Sequence, residues 1–187
     1  MKSYSSPCCA RAVRLGGGWI GLAASERGLC LVRLPRPART EALRGLEGLP
    51  AEGVLLDRAE EQLRDYFDGR AVALDVSVDL SALPAFTRKV LETARRIARG
   101  ERWSYGQLAR AVGAPRAARA VGQALHRNPT PLFVPCHRVV GSDGSLVARS
   151  PRRGDRHPGR PQGGLGIGFA SGLRQKQRLL QLEVRRG

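Results

Sequence analysis

The run Asn128-Pro129-Thr130-Pro131-Leu132-Phe133-Val134-Pro135-Cys136-His137-Arg138 constrains this chain most, because its prolines stiffen the backbone where a thiol and an imidazole stand side by side. Proline locks φ and removes an amide donor, so neither a helix interior nor a central strand passes through such a run. A thiol becomes a nucleophile when its thiolate is favoured, and a nearby imidazole or cation favours it. Arg138 is a second source of positive field. Taken alone, a Cys-His pair more often marks a small core residue with its neighbours at the surface. The rest of the chain decides between these readings.

Upstream, Ser104-Tyr105-Gly106-Gln107 has capping-box spacing and predicts a helix over 105–112. Gly113-Ala114 makes a turn, and Pro115 is placed to start a second helix running to 126. Two short helices joined this way form a helix-turn-helix. The second helix offers few side chains that read base edges. It offers Ala117, Ala118, Ala120 and Gly122, with Arg116 and Arg119. A small-residue face suits close approach to a minor groove, with an arginine able to replace a displaced base. Close helix packing in the core explains the same residues equally well.

The charge is unevenly placed. Residues 1–80 hold 11 basic and 11 acidic side chains, whereas 81–187 hold 21 basic and 5 acidic ones. The whole excess of +16 therefore lies in the second part, which points to a polyanion, nucleic acid being the commonest. Arginine-rich coding bias explains the choice of Arg over Lys but not the shortage of acids. The four cysteines (Cys8, Cys9, Cys30, Cys136) form no CxxC pair and no disulfide framework. With no signal peptide and no long apolar run, they predict a soluble protein of a reducing cytoplasm, without membrane association. Cys8, Cys9 and Cys30 have no histidine near them in sequence, and no metal site is assigned to them.

In the first part, 19–24 and 29–34 read as short apolar strands around a turn at 25–28. Residues 38–53 read as loop with some helical character. Ala59, Leu63, Tyr66 and Phe67 recur at helical spacing over 57–67, and Gly69 closes that helix. Val72, Leu74, Val76, Val78 and Leu80 alternate as in a strand with one buried face. No residue of this part carries obvious chemistry. Pro84 opens a further helix with Phe86, Val90, Ala94 and Ile97 on one face, closed by Gly100. The expected fold is α+β. A small N-terminal domain (1–82) has a short antiparallel sheet, and a mainly helical C-terminal domain (83–187) holds the helix-turn-helix.

In order and spacing, 104–109, 117–122, Asn128-Pro129, 135–140, and Gly172-Leu173 with Lys176, Leu179, Leu180 and Glu183 resemble the methylated-DNA–protein-cysteine methyltransferases. The resemblance covers about 85–146 and 168–183, with the N-terminal part less specific. It implies that Cys136 accepts an alkyl group from the exocyclic oxygen of guanine, and of thymine, in one irreversible turnover without a cofactor. His137 is implied as the base acting through a water, with Glu183 orienting it. Tyr105 is implied to donate to the guanine ring. Asn128 is implied to fix the turn before the active segment. Arg119 would fill the stack behind a flipped base, with Arg116, Ala117, Ala118, Ala120 and Gly122 at the minor groove of double-stranded DNA. Val139, Phe169, Ala170 and Ser171 would wall the base pocket. A monomer is expected.

The chain departs from that pattern at 147–167, about twenty inserted residues rich in Arg, Gly and Pro. Their composition predicts a basic loop rather than a core element. The loop either extends outward and adds phosphate contacts, disturbs the pocket, or reflects a GC-rich gene read out of frame. Ala170 stands where many of the family carry serine. The alternative function is a protein that binds alkylated DNA without transfer, its pocket disrupted by this insertion. A helix-turn-helix regulator with a structural cysteine is the third reading.

Overall fold

The computed structural model describes residues 5–70, 72–146 and 172–184. The inserted 147–167, and Phe169, Ala170 and Ser171 of the expected pocket, lie outside them.

Three antiparallel strands, β1 (Cys9–Leu15), β2 (Gly18–Ser25) and β3 (Gly28–Arg36), form one sheet in the order β1-β2-β3. Strand β1 was not expected, yet its hairpin has a plain signal. Gly16 and Gly17 both take positive φ (62° and 84°), which a type I′ turn requires and glycine permits. The helix α1 (Arg39–Leu43) lies against Gly21, where any side chain would run into the Ala42 carbonyl. The helix α2 (Val54–Phe67) covers the sheet and buries Leu56, Ala59, Leu63 and Tyr66, a stripe of helical period.

The expected strand at 72–80 does not form as a strand. Val76 and Leu80 are buried as its alternation predicts, but only the isolated bridge between Leu29 and Val78 joins it to the sheet. The amides of Asp75 and Val76 are drawn to Gln62 Oε1 instead, and Val32 of β3 donates to the Pro129 carbonyl at 2.8 Å. Backbone groups satisfied elsewhere leave no ladder to extend.

Helix α3 (Ala85–Ala94) starts after Pro84 as expected, but its buried face is Thr87, Val90, Leu91 and Ala94. Phe86 lies on its shoulder, 38% exposed. The helix ends well before Gly100, and Ile97 is buried from the following turns. Then β4 (Trp103–Ser104), α4 (Tyr105–Ala111) and α5 (Ala118–His126) follow. Ser104 and Gln107 make the reciprocal capping box. Pro115 does not start α5. A turn closed by the Ala117 amide on the Ala114 carbonyl (2.9 Å) holds it, and the helix begins three residues later. After a single 3₁₀ turn (Cys136–Arg138), β5 (Val139–Val140) pairs parallel with β4, and α6 (Leu173–Val184) completes the chain. The architecture is α+β, as expected.

Two apolar cores meet at the proline-rich segment. Leu132 and Phe133 pack with the sheet, α2 and Leu179. Val134, Cys136 and Val139 pack with α3, α4 and α5. Between these allegiances Leu132 takes φ 77°, a left-handed conformation a leucine holds only when its surroundings dictate it.

Candidate active site

Asn128 follows α5 and braces the segment that carries the thiol. Its Oδ1 accepts the Thr130 amide (3.0 Å), and its Nδ2 donates to the Val134 carbonyl (2.9 Å) and to Cys136 Sγ (3.1 Å). The Val134 amide returns to the Thr130 carbonyl at 2.9 Å. Asn128 thus fixes the turn and also presents a donor to the sulfur. The pairing of Val139–Val140 with Trp103–Ser104 ties the residues after Cys136 to the N-cap of the helix-turn-helix.

Cys136 is 6% exposed. Burial pushes its thiol up to about 11, against the Asn128 hydrogen bond and the Lys176 charge, which favour thiolate. Lys176, from α6, is itself buried and lowered to about 8 by burial, with Cys136 acting in the opposite direction. Its Nζ donates to the carbonyls of Val139 (2.6 Å) and Leu146 (2.9 Å) and sits 5.8 Å from the Tyr105 ring centroid. Tyr105 is pushed to about 12 by burial and by the neighbouring Cys136, so its hydroxyl keeps its proton.

His137 is fully buried, and its Nε2 lies 2.8 Å from Glu183 Oε1. Its Nδ1 has no hydrogen-bond partner among the described residues. A carboxylate facing Nε2 selects the tautomer that carries its proton there, which leaves the Nδ1 lone pair available. Burial lowers the His137 pKa, although the Glu183 contact raises it, so the ring is neutral at physiological pH. Burial alone would raise Glu183, but the bonds from His137 and Arg138 outweigh it and hold the carboxyl at about 2.

Arg138 does not serve as a free positive field for the thiol. Its Nε and Nη2 donate to Glu183 (3.0 and 2.8 Å) and its Nη1 to the Ile97 carbonyl (2.6 Å). Tyr66 of α2 donates its hydroxyl to the same Glu183 Oε1 at 3.1 Å. The first part of the chain therefore does contribute a polar group to the site, contrary to the sequence reading. Tyr66 was legible only as an apolar member of an amphipathic helix, and no local pattern announces a partner 117 residues away.

Of the residues singled out from the sequence, Cys136, His137, Asn128, Tyr105 and Glu183 are thus gathered in one site. Val139 is fully buried in the second core. On the helix-turn-helix, Arg116, Arg119 and Ala120 are exposed and Ala117 and Ala118 half-buried. Gly122 is buried with Val121, Ala124 and Leu125.

Residues 85–185 match a family model described as the DNA-binding domain of 6-O-methylguanine DNA methyltransferase. A methylated-DNA–protein-cysteine methyltransferase of Mycolicibacterium paratuberculosis is 40% identical over 127 residues, covering 68% of this chain and 64% of that protein. The constitutive one of Bacillus subtilis is 45% identical over 92 residues, 49% of this chain and 55% of that protein. The chain thus spans less than two thirds of the length of these two curated relatives. The Mycobacterium tuberculosis OGT protein, crystallised in complex with DNA, superposes with a TM-score of 0.67 at 32% identity, over 93% of this chain and 91% of that one.

Proposed function

The chain belongs to the 6-O-methylguanine DNA methyltransferase family, and on that premise we propose that it repairs DNA by moving an alkyl group from the exocyclic oxygen of guanine onto its own Cys136. One observation carries the reading. A buried thiol with an amide donor on its sulfur adjoins an imidazole whose proton faces a carboxylate and whose other nitrogen is unengaged among the described residues.

The chemistry follows from these groups. The thiol proton passes through a water to His137 Nδ1, and Glu183 steadies the imidazolium that forms. The thiolate attacks the alkyl carbon as the carbon–oxygen bond breaks, and the electron pair of that bond passes into the purine. Tyr105 donates to the ring so that the base departs neutral. In the net exchange, sulfur trades hydrogen for alkyl and the base trades alkyl for hydrogen. A thioether is not hydrolysed under these conditions, so each molecule acts once and needs no cofactor. The same displacement serves alkylated thymine.

DNA engagement is assigned to the exposed side of α5. Arg119 fills the stack, and Arg116, Ala117, Ala118 and Ala120 approach the minor groove of a duplex whose damaged base is flipped out, whereas Gly122, expected there too, is buried on the packing face of the helix. Val139 is assigned to the base pocket, while Phe169, Ala170, Ser171 and the basic 147–167 lie outside the described residues. The protein acts as a cytoplasmic monomer built of two domains, 1–82 and 83–187.

Intact mass after incubation with a duplex carrying one methylated guanine tests this. The expected result is a gain of one methyl group that maps to the peptide holding Cys136, abolished in Cys136→Ala while duplex binding persists. A folded protein that binds the duplex but gains no mass would instead be a non-transferring binder of alkylated DNA.

A further inference from the structure

We propose that Tyr66 is a positioning residue of the transfer site, a hydroxyl supplied by the first part of the chain that sets how strongly Glu183 holds His137. The proposal rests on the alkyl-transfer reading but has a readout independent of it.

Three donors converge on one oxygen. Glu183 Oε1 receives His137 Nε2 (2.8 Å), Arg138 Nη2 (2.8 Å) and the Tyr66 hydroxyl (3.1 Å), while Arg138 Nε is shared between Oε2 (3.0 Å) and, more weakly, Oε1 (3.3 Å). Each donor draws negative charge from Oε1, so each weakens the hold of that oxygen on the others. Tyr66 is placed for this by packing. It is 1% exposed on the inner face of α2, its ring meets Phe67 edge-on at 5.4 Å, and the Arg99 guanidinium lies 5.6 Å from its centroid. Arg99 also donates to the carbonyl of Leu182, the residue before Glu183 (3.4 Å). One guanidinium therefore touches both the Tyr66 ring and the backbone that leads into Glu183. A buried phenol needs a partner, and the described partner of this one is the carboxylate that faces the candidate base.

Removing the hydroxyl leaves more charge on Oε1 for His137. The Nε2–H bond shortens and the imidazole becomes more basic. Because the transfer needs His137 neutral beforehand, the acid limb of the single-turnover rate should move up in Tyr66→Phe by about half a pH unit. A tyrosine that merely fills space would lower the rate equally at every pH.

The experiment pairs that profile with the His137 Nε2–H proton resonance in the full chain. In Tyr66→Phe the acid limb is expected to move up and the resonance downfield. With 3-fluorotyrosine at position 66, a stronger donor, both are expected to move the opposite way, which keeps the test alive if the phenylalanine variant does not fold. In a Glu183→Gln background, Tyr66→Phe should shift neither. Unchanged resonance and limb in both Tyr66 variants would overturn the proposal. If the wild-type chain transfers no methyl group, the function reading fails on its own and the resonance alone decides the role of Tyr66.

Discussion

His137 Nε2 stands 2.8 Å from Glu183 Oε1 with both side chains withdrawn from solvent, so the imidazole has one nitrogen assigned and one available. Glu183→Gln keeps the shape but removes the charge that stabilises an imidazolium. General-base assistance is worth roughly 10²–10⁴-fold, and the single-turnover rate of methyl transfer should fall within that range. Duplex binding, measured by fluorescence anisotropy, should stay near wild type. A rate within a factor of about two of wild type would remove Glu183 from the mechanism.

The same pair fixes the sign of acid sensitivity. His137 is held below its ordinary 6.5, so the unfolded chain takes up that proton first and stability falls as pH drops below 6.5. Glu183 is held at about 2 against an ordinary 4.5, so its contribution is complete above 4.5 and is lost as pH falls from there towards 2. Urea midpoints measured from pH 7 downward should decline through both windows. Glu183→Gln should flatten the lower one.

Lys176 closes the loop after β5 rather than facing solvent. Lys176→Met would strand the carbonyls of Val139 and Leu146, at a cost of about 1–3 kcal/mol for each group left unpaired. Equilibrium urea unfolding should report a loss of that order. A loss much below 1 kcal/mol would show that water replaces the ammonium at no cost.

The thiol should be quiet without DNA. Cys136 is buried and pushed up to about 11, whereas Cys8 is exposed. Iodoacetamide at neutral pH should therefore modify Cys8 well before Cys136, as read by peptide mass. Faster modification of Cys136 would mean that its thiolate is already formed in the free protein.

Arg119 is exposed on α5, on the far side from the buried Val121 and Ala124. Arg119→Ala should slow transfer from duplex DNA at least about tenfold, because holding a base out of the stack is worth a few kcal/mol. Transfer from a free alkylated guanine base, which needs no flipping, should be unchanged. Equal slowing on both substrates would assign Arg119 to stability instead.

Much of this was legible because the signals are local. The Ser104–Gln107 capping box, the turn at 25–28 and the Asn128 to His137 order each depend on neighbours a few residues apart, and each holds. Glu183 was reached through resemblance, since nothing in α6 alone marks one acid among its polar residues. Three features escaped. Strand β1 alternates poorly, because Arg11 and Arg14 interrupt its apolar positions, and only the Gly16-Gly17 turn betrays it. The 72–80 run kept its period-two burial without a ladder, because Gln62 and Pro129 had already met the backbone groups concerned. Tyr66 and Arg138 were read for packing and for field. Their true partner is settled by how α2 and α6 are brought together, which no window of sequence contains.

The span between Tyr66 and Glu183 also has a consequence in time. The contact joins residues 117 positions apart, and α6 is anchored by the buried Lys176, Leu179, Leu180 and Glu183. Contacts across so long a loop form late in folding and open early. A molecule whose final helix has not yet docked, or has frayed, would still hold α4 and α5 against α3. Under the proposed function, such a molecule would grip a duplex with an inert sulfur, and readiness for chemistry would be a later and more perishable property than the capacity to bind.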